Sequence, residues 1–139
     1  MSAYKNGKGS MAGLAHIGLF ITDIEKTKKF YMEILGFENA HETSLNSDDG
    51  AIKICFLTLG AFCIEAVQFP KPQIRTDGWF DHIAIRVKNI EAVRKQLEDK
   101  GVQFEEEEIT YAPKVWHNGS KWILFRGPDN EHLEINEVL

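Results

Sequence analysis

Two histidines and two glutamates occupy matching positions in two stretches of the sequence, and side chains of these types can bind a metal ion. His16 lies in an Ala-His-Ile segment and His82 in an Asp-His-Ile segment, while Glu65 and Glu134 lie in Ile-Glu-Ala and Leu-Glu-Ile segments. The two histidines are 66 residues apart, and each glutamate follows its histidine by about 50 residues, 49 in one case and 52 in the other. Two imidazoles and two carboxylates delivered by a duplication suit one divalent metal.

Each of these side chains could also have a purely structural role when it is considered alone. A single histidine in a strand is more often a hydrogen-bonded structural residue than a ligand. A glutamate in an apolar strand is costly to bury unless it is paired or bound to a metal. One shared metal accounts for all four residues, so we expect His16, Glu65, His82 and Glu134 to be its ligands. Two nitrogen and two oxygen ligands suit Ni, Zn, Co, Fe or Mn better than Ca or Mg.

The length and composition describe one ordinary globular domain. The chain has 139 residues, 43% of them hydrophobic and 27% charged, which is enough for a sizeable core. Residues 1–12 are polar and rich in Gly and Lys, so we expect a disordered tail or an added leader before a single domain at 13–139. The net charge of −5 argues against non-specific nucleic-acid binding. No apolar run approaches the ~18 residues of a membrane span, and no secretion signal is visible, so we expect a cytoplasmic protein.

The elements that must position the four residues follow the same order twice. Asp23 and Asn89 are predicted N-caps, and Gly36 and Gly101 are predicted helix stops. The pattern predicts strand 14–21, helix 24–35, a loop at 41–50 and strands 52–59 and 62–69, and then strand 81–87, helix 90–100, an extended segment at 102–104 and strands 121–126 and 132–138. We therefore expect an α+β fold of two βαβββ modules, 13–70 and 79–139, forming a cupped mixed sheet with the helices outside.

Residue-by-residue agreement between the halves supports this duplication. An offset of 66 aligns His16 with His82 and the two predicted N-caps with each other, and an offset of 69 aligns Glu65 with Glu134.

His132, two residues before Glu134, shares its strand face and could support the ligands. Cys55 and Cys63 flank a turn, and a bond between them is conceivable, but reduced thiols are favoured without a secretion signal. Cys63 shares the face of Glu65 and could line the pocket.

At these residues the chain resembles the vicinal oxygen chelate superfamily, which includes glyoxalase I. The resemblance covers nearly all of residues 14–139 and is carried by His16-Ile17-Gly18, Phe30-Tyr31, Leu35-Gly36-Phe37, Ile64-Glu65, Asp81-His82-Ile83-Ala84 and the Gly-Pro-Asp-Asn to Leu-Glu-Ile stretch at 127–135. Glyoxalase I-like members use His, Glu, His and Glu in chain order, which matches the four residues here.

The resemblance implies a metal-dependent lyase or isomerase that acts on a hemithioacetal or a related α-hydroxycarbonyl through an enediolate. It makes Glu134 the first choice of catalytic base and Glu65 a ligand or opposite-face base. It also implies a small-molecule substrate, a homodimer, and glutathione or another thiol as cosubstrate. Similar bacterial glyoxalases hold glutathione with Arg and Asn, whereas Phe20 and Phe69 stand at those positions here. Both would line the substrate pocket or simply pack in the core, and they weaken the glutathione assignment.

Two other functions remain open at the sequence level. The same ligands could serve another enolising enzyme of the superfamily, such as an epimerase or isomerase of an acyl-CoA or sugar-like substrate. Alternatively, the fold could bind a small molecule without catalysis. The sequence does not identify the metal or the substrate, and it does not say whether the modules pair within one chain or swap between two.

Overall fold

The chain forms two compact units, Met1–Gln73 and Ile74–Leu139, in a computed structural model that describes residues 13–72 and 76–139. The tail predicted at residues 1–12 lies outside the described residues. Each unit contains a strand, a helix and three further strands, in the order that the repeat predicts. Within the described ranges, no helix has the length and apolar character needed to cross a membrane.

The first unit is built on a four-stranded mixed sheet with the strand order β1-β4-β3-β2. Strand β1 runs parallel to β4, and the β4–β3 and β3–β2 pairs are antiparallel. A helical segment connects β1 to β2. The strands are β1 (Ile17–Ile21), β2 (Glu38–Ser47), β3 (Gly50–Leu59) and β4 (Phe62–Gln68).

The helical segment of the first unit is not the single α-helix predicted for 24–35. Helix α1 covers Ile24–Lys29, and a π-helix continues it over Phe30–Ile34. Asp23 caps α1 as predicted, because its carboxylate accepts from the first backbone N–H groups of the helix. The predicted stop is also confirmed, since Gly36 adopts a φ of +80°, in the left-handed region that favours glycine.

The prediction of a loop at 41–50 is wrong, because most of these residues belong to the long strand β2. Every residue of Glu38–Ser47 is exposed, so neither face of the strand needs apolar residues. Its sequence therefore lacks the alternation of apolar and polar residues by which a strand is recognised. Backbone pairing with β3 holds it instead, and a salt bridge of 3.1 Å from Lys28 to Glu42 ties it to α1. The actual turn is confined to Asp48 and Asp49.

The second unit repeats the arrangement with the strand order β5-β8-β7-β6, in which β5 is parallel to β8. Its N-cap prediction is confirmed, since the Asn89 side chain accepts from the backbone N–H of Ala92. The extended segment predicted at 102–104 contributes only an isolated bridge from Phe104 to Phe125. The elements are β5 (Ile83–Arg86), α2 (Ile90–Asp99), β6 (Thr110–Ala112), β7 (Ser120–Arg126) and β8 (His132–Val138).

One face of each sheet packs against its own helix and holds the core of that unit. In the first unit, Gln68 on this face accepts a hydrogen bond of 2.7 Å from the backbone of Ile24, the first residue of α1. In the second unit, Glu137 accepts one of 2.6 Å from the backbone of Asn89. The opposite face of each sheet carries the predicted ligands. The buried core includes Ile21, Ile24, Tyr31, Leu57, Ile64 and Ala66 in the first unit and Ile90, Leu97, Ile123, Phe125, Leu133 and Ile135 in the second.

Candidate metal centre

The two predicted His–Glu pairs occupy the same register in the two sheets. Glu65 on β4 pairs with Gly18 of β1, two residues after His16. Glu134 on β8 pairs with Ala84 of β5, two residues after His82. Each histidine stands immediately before its strand, on the face of the glutamate, because alternate residues of a strand share a face. The duplication therefore builds one half-site in each unit.

The first half-site brings His16 and Glu65 together. The Nε2 atom of His16 lies 3.7 Å from Oε2 of Glu65, and the two side chains are 41% and 28% exposed. The imidazole meets the ring of Phe56 edge-on, with ring centroids 5.9 Å apart. No carboxylate other than Glu65 forms an ion pair with His16 in the described ranges. An aromatic ring, rather than a charge, supports this histidine.

The second half-site is closer and more buried. Nε2 of His82 lies 3.3 Å from Oε2 of Glu134, whose side chain is only 8% exposed. The other oxygen of Glu134, Oε1, accepts a hydrogen bond of 2.8 Å from Nδ2 of Asn136. Asn136 in turn accepts from the Ser120 hydroxyl at 3.1 Å. This chain of hydrogen bonds fixes the direction of the Glu134 carboxylate.

A carboxylate also supports His82 from the other side of its ring. Nδ1 of His82 lies 2.9 Å from Oδ2 of Asp81, and the hydrogen bond from His82 lowers the pKa of Asp81 below its ordinary value of 3.8. Nδ1 of His132 lies 3.4 Å from the same oxygen, and Nε2 of His132 lies 3.0 Å from Oε2 of Glu105. His132 thus contacts a neighbour of the predicted ligand, as its shared face suggested.

Arg126 anchors the segment that leads into His82. Its guanidinium contacts both oxygens of Asp77, with Nη1–Oδ1 at 2.6 Å and Nη2–Oδ2 at 3.0 Å, and this pairing lowers the pKa of Asp77. Its Nε atom also donates to Glu105. Asp77, Asp81 and His132 form a cluster whose ligand atoms lie within 4.8 Å of one another. The two-point contact with Arg126 already neutralises Asp77, so this cluster is better explained as an ion-pair network.

The predicted pocket residues lie on the half-site face of the first sheet. Phe20 and Phe69 stack edge to face with ring centroids 5.3 Å apart and remain 42% and 37% exposed. This exposure argues against the interpretation that Phe20 and Phe69 simply pack in the core. Cys63 is partly exposed. It faces the same side of the sheet as Glu65, because the two residues are two positions apart on β4. Cys55 points to the helix side and is fully buried, so the two thiols lie on opposite faces and stay free.

Three supporting residues escaped the sequence interpretation. Asn136 follows Glu134 by two residues, so period-two spacing could have placed it on the same face. Phe56 becomes a neighbour of His16 only through the β3–β4 register. Asp81 directly precedes His82, whereas Ala15 precedes His16 in the first half. This difference between the repeats was the signal that could have identified Asp81 as a supporting residue.

A cavity of about 450 Å³ in the second unit lies away from the half-site. It is bounded by the carboxyl ends of β5 and β8, whereas His82 stands before the amino end of β5. This cavity is therefore not the predicted metal site. Its lining residues are Arg86, Val87, Lys88, Glu137, Val138 and Leu139.

The donor atoms of the second half-site fit a divalent metal, whereas the 3.7 Å between His16 and Glu65 in the first half-site is slightly wider than the separation of two ligands on one metal. Nδ1 of His82 faces Asp81, so Nε2 is the ring nitrogen that points toward Glu134. Two ligand atoms bound at about 2.1 Å to one metal lie roughly 3.0–3.4 Å apart, which brackets the 3.3 Å between His82 and Glu134. Glu134 is also buried without a Lys or Arg partner in the described residues, and a cation would offset that cost.

Comparisons with known proteins agree with this fold. The uncharacterized protein YwkD of Bacillus subtilis (strain 168) is 30% identical over 131 residues, which cover 91% of this chain and 98% of YwkD. A glyoxalase family protein from Enterococcus faecalis matches with a TM-score of 0.72 and 25% identity, covering 90% of this chain and 97% of that structure. The fosfomycin resistance protein FosX from Listeria monocytogenes shares the fold, with a TM-score of 0.67, 23% identity and coverage of 93% and 95%. Residues 13–135 match the sequence model of one family, and the chain belongs to the Glyoxalase/Bleomycin resistance protein/Dioxygenase superfamily.

Proposed function

We propose that the protein is a metal-dependent lyase or isomerase of the glyoxalase I kind, acting on a hemithioacetal or a related α-hydroxycarbonyl. His16, Glu65, His82 and Glu134 would form one ligand set, supplied by the two units of one chain or of two chains in a homodimer. The observation that carries the proposal is the repeated half-site. In both units a histidine Nε2 faces a glutamate Oε2, at 3.7 Å and 3.3 Å.

The residues of the second half-site suit proton transfer. When bound, a divalent metal would polarise the two vicinal oxygens of the substrate and stabilise negative charge that develops on them. Glu134 is the first choice of base by its position, and Asn136 fixes the direction of its carboxylate. It would take the proton from one substrate carbon and return it to the next. Glu65, which is more exposed, would serve as ligand or as base on the opposite face.

The test is hemithioacetal isomerisation with methylglyoxal and glutathione. Metal-free protein would be reloaded separately with Ni, Co, Zn and Mn, and metal content would be verified before each assay. We expect turnover with at least one metal and none with the metal-free protein. Lack of turnover in every verified metal form would contradict the glyoxalase assignment and would leave the ligand set to another reaction.

A second candidate is a different enolising reaction at the same ligands, on a substrate with an apolar group. The stacked and exposed rings of Phe20 and Phe69 favour it, because they offer an apolar surface on the face that carries His16 and Glu65. Substrates of this class include acyl-CoA thioesters and sugar-like hydroxycarbonyls. Deuterium exchange at the α-carbon, measured by NMR across a panel of both classes, tests this candidate. Absence of exchange across the whole panel would remove it in favour of a non-catalytic binding protein.

A further inference from the structure

The segment that carries His82 is exposed and is held by polar contacts. Residues 76–82 form no helix or strand, and Trp79 and Phe80 are 104% and 97% exposed. Arg126 fixes one end of the segment through Asp77. At the other end, Asp81 lies 2.9 Å from Nδ1 of His82 and 3.4 Å from Nδ1 of His132.

The two halves hold their histidines in different ways. His82 has a carboxylate on its Nδ1 at 2.9 Å. His16 is preceded by Ala15 and rests against the ring of Phe56. Burial does not account for the difference, because the two side chains are exposed to similar extents, 38% and 41%.

We propose that Asp81 is a positioning residue for His82. Its carboxylate holds the proton of the imidazole on Nδ1 and turns the unprotonated Nε2 toward Glu134 and a bound metal. A carboxylate behind a ligating histidine fixes its tautomer and makes it a better ligand, and loss of such a partner typically weakens metal binding 10–100-fold. The inference rests on the proposed function for the metal, whereas the tautomer itself can be measured without one.

The experiment combines a spectroscopic readout with a binding readout. Nitrogen chemical shifts of the His82 ring would be recorded by NMR in metal-free protein, at a pH where this imidazole is neutral. Zinc affinity would then be measured by competition with a chromogenic chelator. The variants are Asp81→Ala, which removes the acceptor, and Asp81→Asn, which keeps an acceptor oxygen. Asp49→Ala is the matched control, because it breaks an exposed ion pair of 3.0 Å with Lys71 in the first unit.

We expect wild-type His82 to carry its proton on Nδ1. In Asp81→Ala the proton should move toward Nε2, and the zinc dissociation constant should rise 10–100-fold, while Asp81→Asn should retain most of the wild-type tautomer. The His16 signals and the Asp49→Ala control should stay unchanged, and circular dichroism should show an intact fold.

An unchanged His82 tautomer in Asp81→Ala would overturn the proposal, and so would zinc affinity within about twofold of wild type. If the wild-type protein bound no metal, the proposed function would fail, and the tautomer shift would still decide whether Asp81 sets the orientation of His82. The two failures are therefore distinguishable.

Discussion

Asn136 donates a hydrogen bond of 2.8 Å to Glu134, and the position equivalent to Asn136 in the first unit is occupied by Val67. The two half-sites share the geometry of their ligands but not their supports. In the second unit, Asn136 and Asp81 orient the glutamate and the histidine with polar groups. In the first unit, Phe56 supports His16 through ring packing. Substitutions of these supporting residues can therefore affect one half-site without the other.

Replacing Asn136 by valine should weaken the second half-site. Asn136→Val places at this position the residue that the first unit has at Val67, so Oε1 of Glu134 loses a donor and the carboxylate loses its fixed direction. We expect metal affinity to fall about tenfold and the free energy of unfolding to fall by about 1 kcal/mol. Chelator competition and urea denaturation measure the two effects. Asn46→Val, on the exposed strand β2, is the control, and an equal loss in both variants would contradict the role of Asn136.

Glu134 should be more important for turnover than for metal occupancy. Glu134→Gln keeps an oxygen ligand and the hydrogen bond from Asn136, but it cannot accept the substrate proton at neutral pH. We expect kcat to fall at least ~10²-fold while the metal content at saturating metal stays close to wild type. Steady-state kinetics and elemental analysis on the same sample test this. Near-normal turnover would exclude Glu134 as the base, and a larger loss in Glu65→Gln would assign that role to Glu65.

The aromatic pair should limit the use of glutathione. A double variant, Phe20→Arg with Phe69→Asn, restores the polar residues that the similar glyoxalases use to hold glutathione. We expect kcat/KM for the glutathione hemithioacetal to rise about tenfold, which corresponds to about 1.4 kcal/mol of added transition-state binding. The double alanine variant controls for removal of the rings. Equal activity in the two double variants would show that these positions do not contact the thiol.

The two cysteines should differ sharply in reactivity. Burial raises the pKa of the Cys55 thiol to about 11, so little thiolate is present near neutral pH. Cys63 is partly exposed on the half-site face. We expect a chromogenic disulfide reagent to modify one thiol in the native protein and two in denaturant. Cys63→Ser should abolish the native reaction, whereas its persistence in that variant would place Cys55 at the surface.

Acid should selectively remove the contribution of Asp77. Arg126 holds the pKa of Asp77 below its ordinary value of 3.8, so this contribution is complete above pH 3.8 and is lost as the pH falls through the lower folded-state pKa. Asp77→Asn should therefore be less stable than wild type near about pH 6, and the gap should close in acid. Urea denaturation across this range measures the gap. Asp48→Asn, at a turn residue without an ion pair in the described residues, is the control, and the same closing gap in that variant would contradict the role of Arg126.

Much of the fold could be predicted because residues typical of helix ends occur at equivalent positions in the two repeats. Asp23 and Asn89 begin helices and Gly36 stops one, as their side chains or backbone freedom dictate. The exposed strand β2 could not be recognised, because only backbone pairing with β3 makes it a strand. The π-helix at Phe30–Ile34 likewise leaves no signal in apolar spacing.

The partners within each half-site could also be predicted, since equivalent registers follow from a duplication. What the sequence could not supply was the support around the ligands. Phe56 reaches His16 only through strand pairing. Asp81 lies outside β5, which begins at Ile83 rather than at the predicted residue 81, so its position follows from contacts across the second unit.

Metal stoichiometry and affinity, measured across the four ligand positions, would decide whether the two repeats supply one ligand set. Wild type would be compared with His16→Ala, Glu65→Ala, His82→Ala and Glu134→Ala by equilibrium dialysis and elemental analysis. We expect one divalent metal per chain, and each substitution, in either unit, should weaken metal binding at least ~10-fold. Full affinity in both first-unit variants would contradict a single ligand set built from the two repeats, as would the absence of stoichiometric metal in wild type.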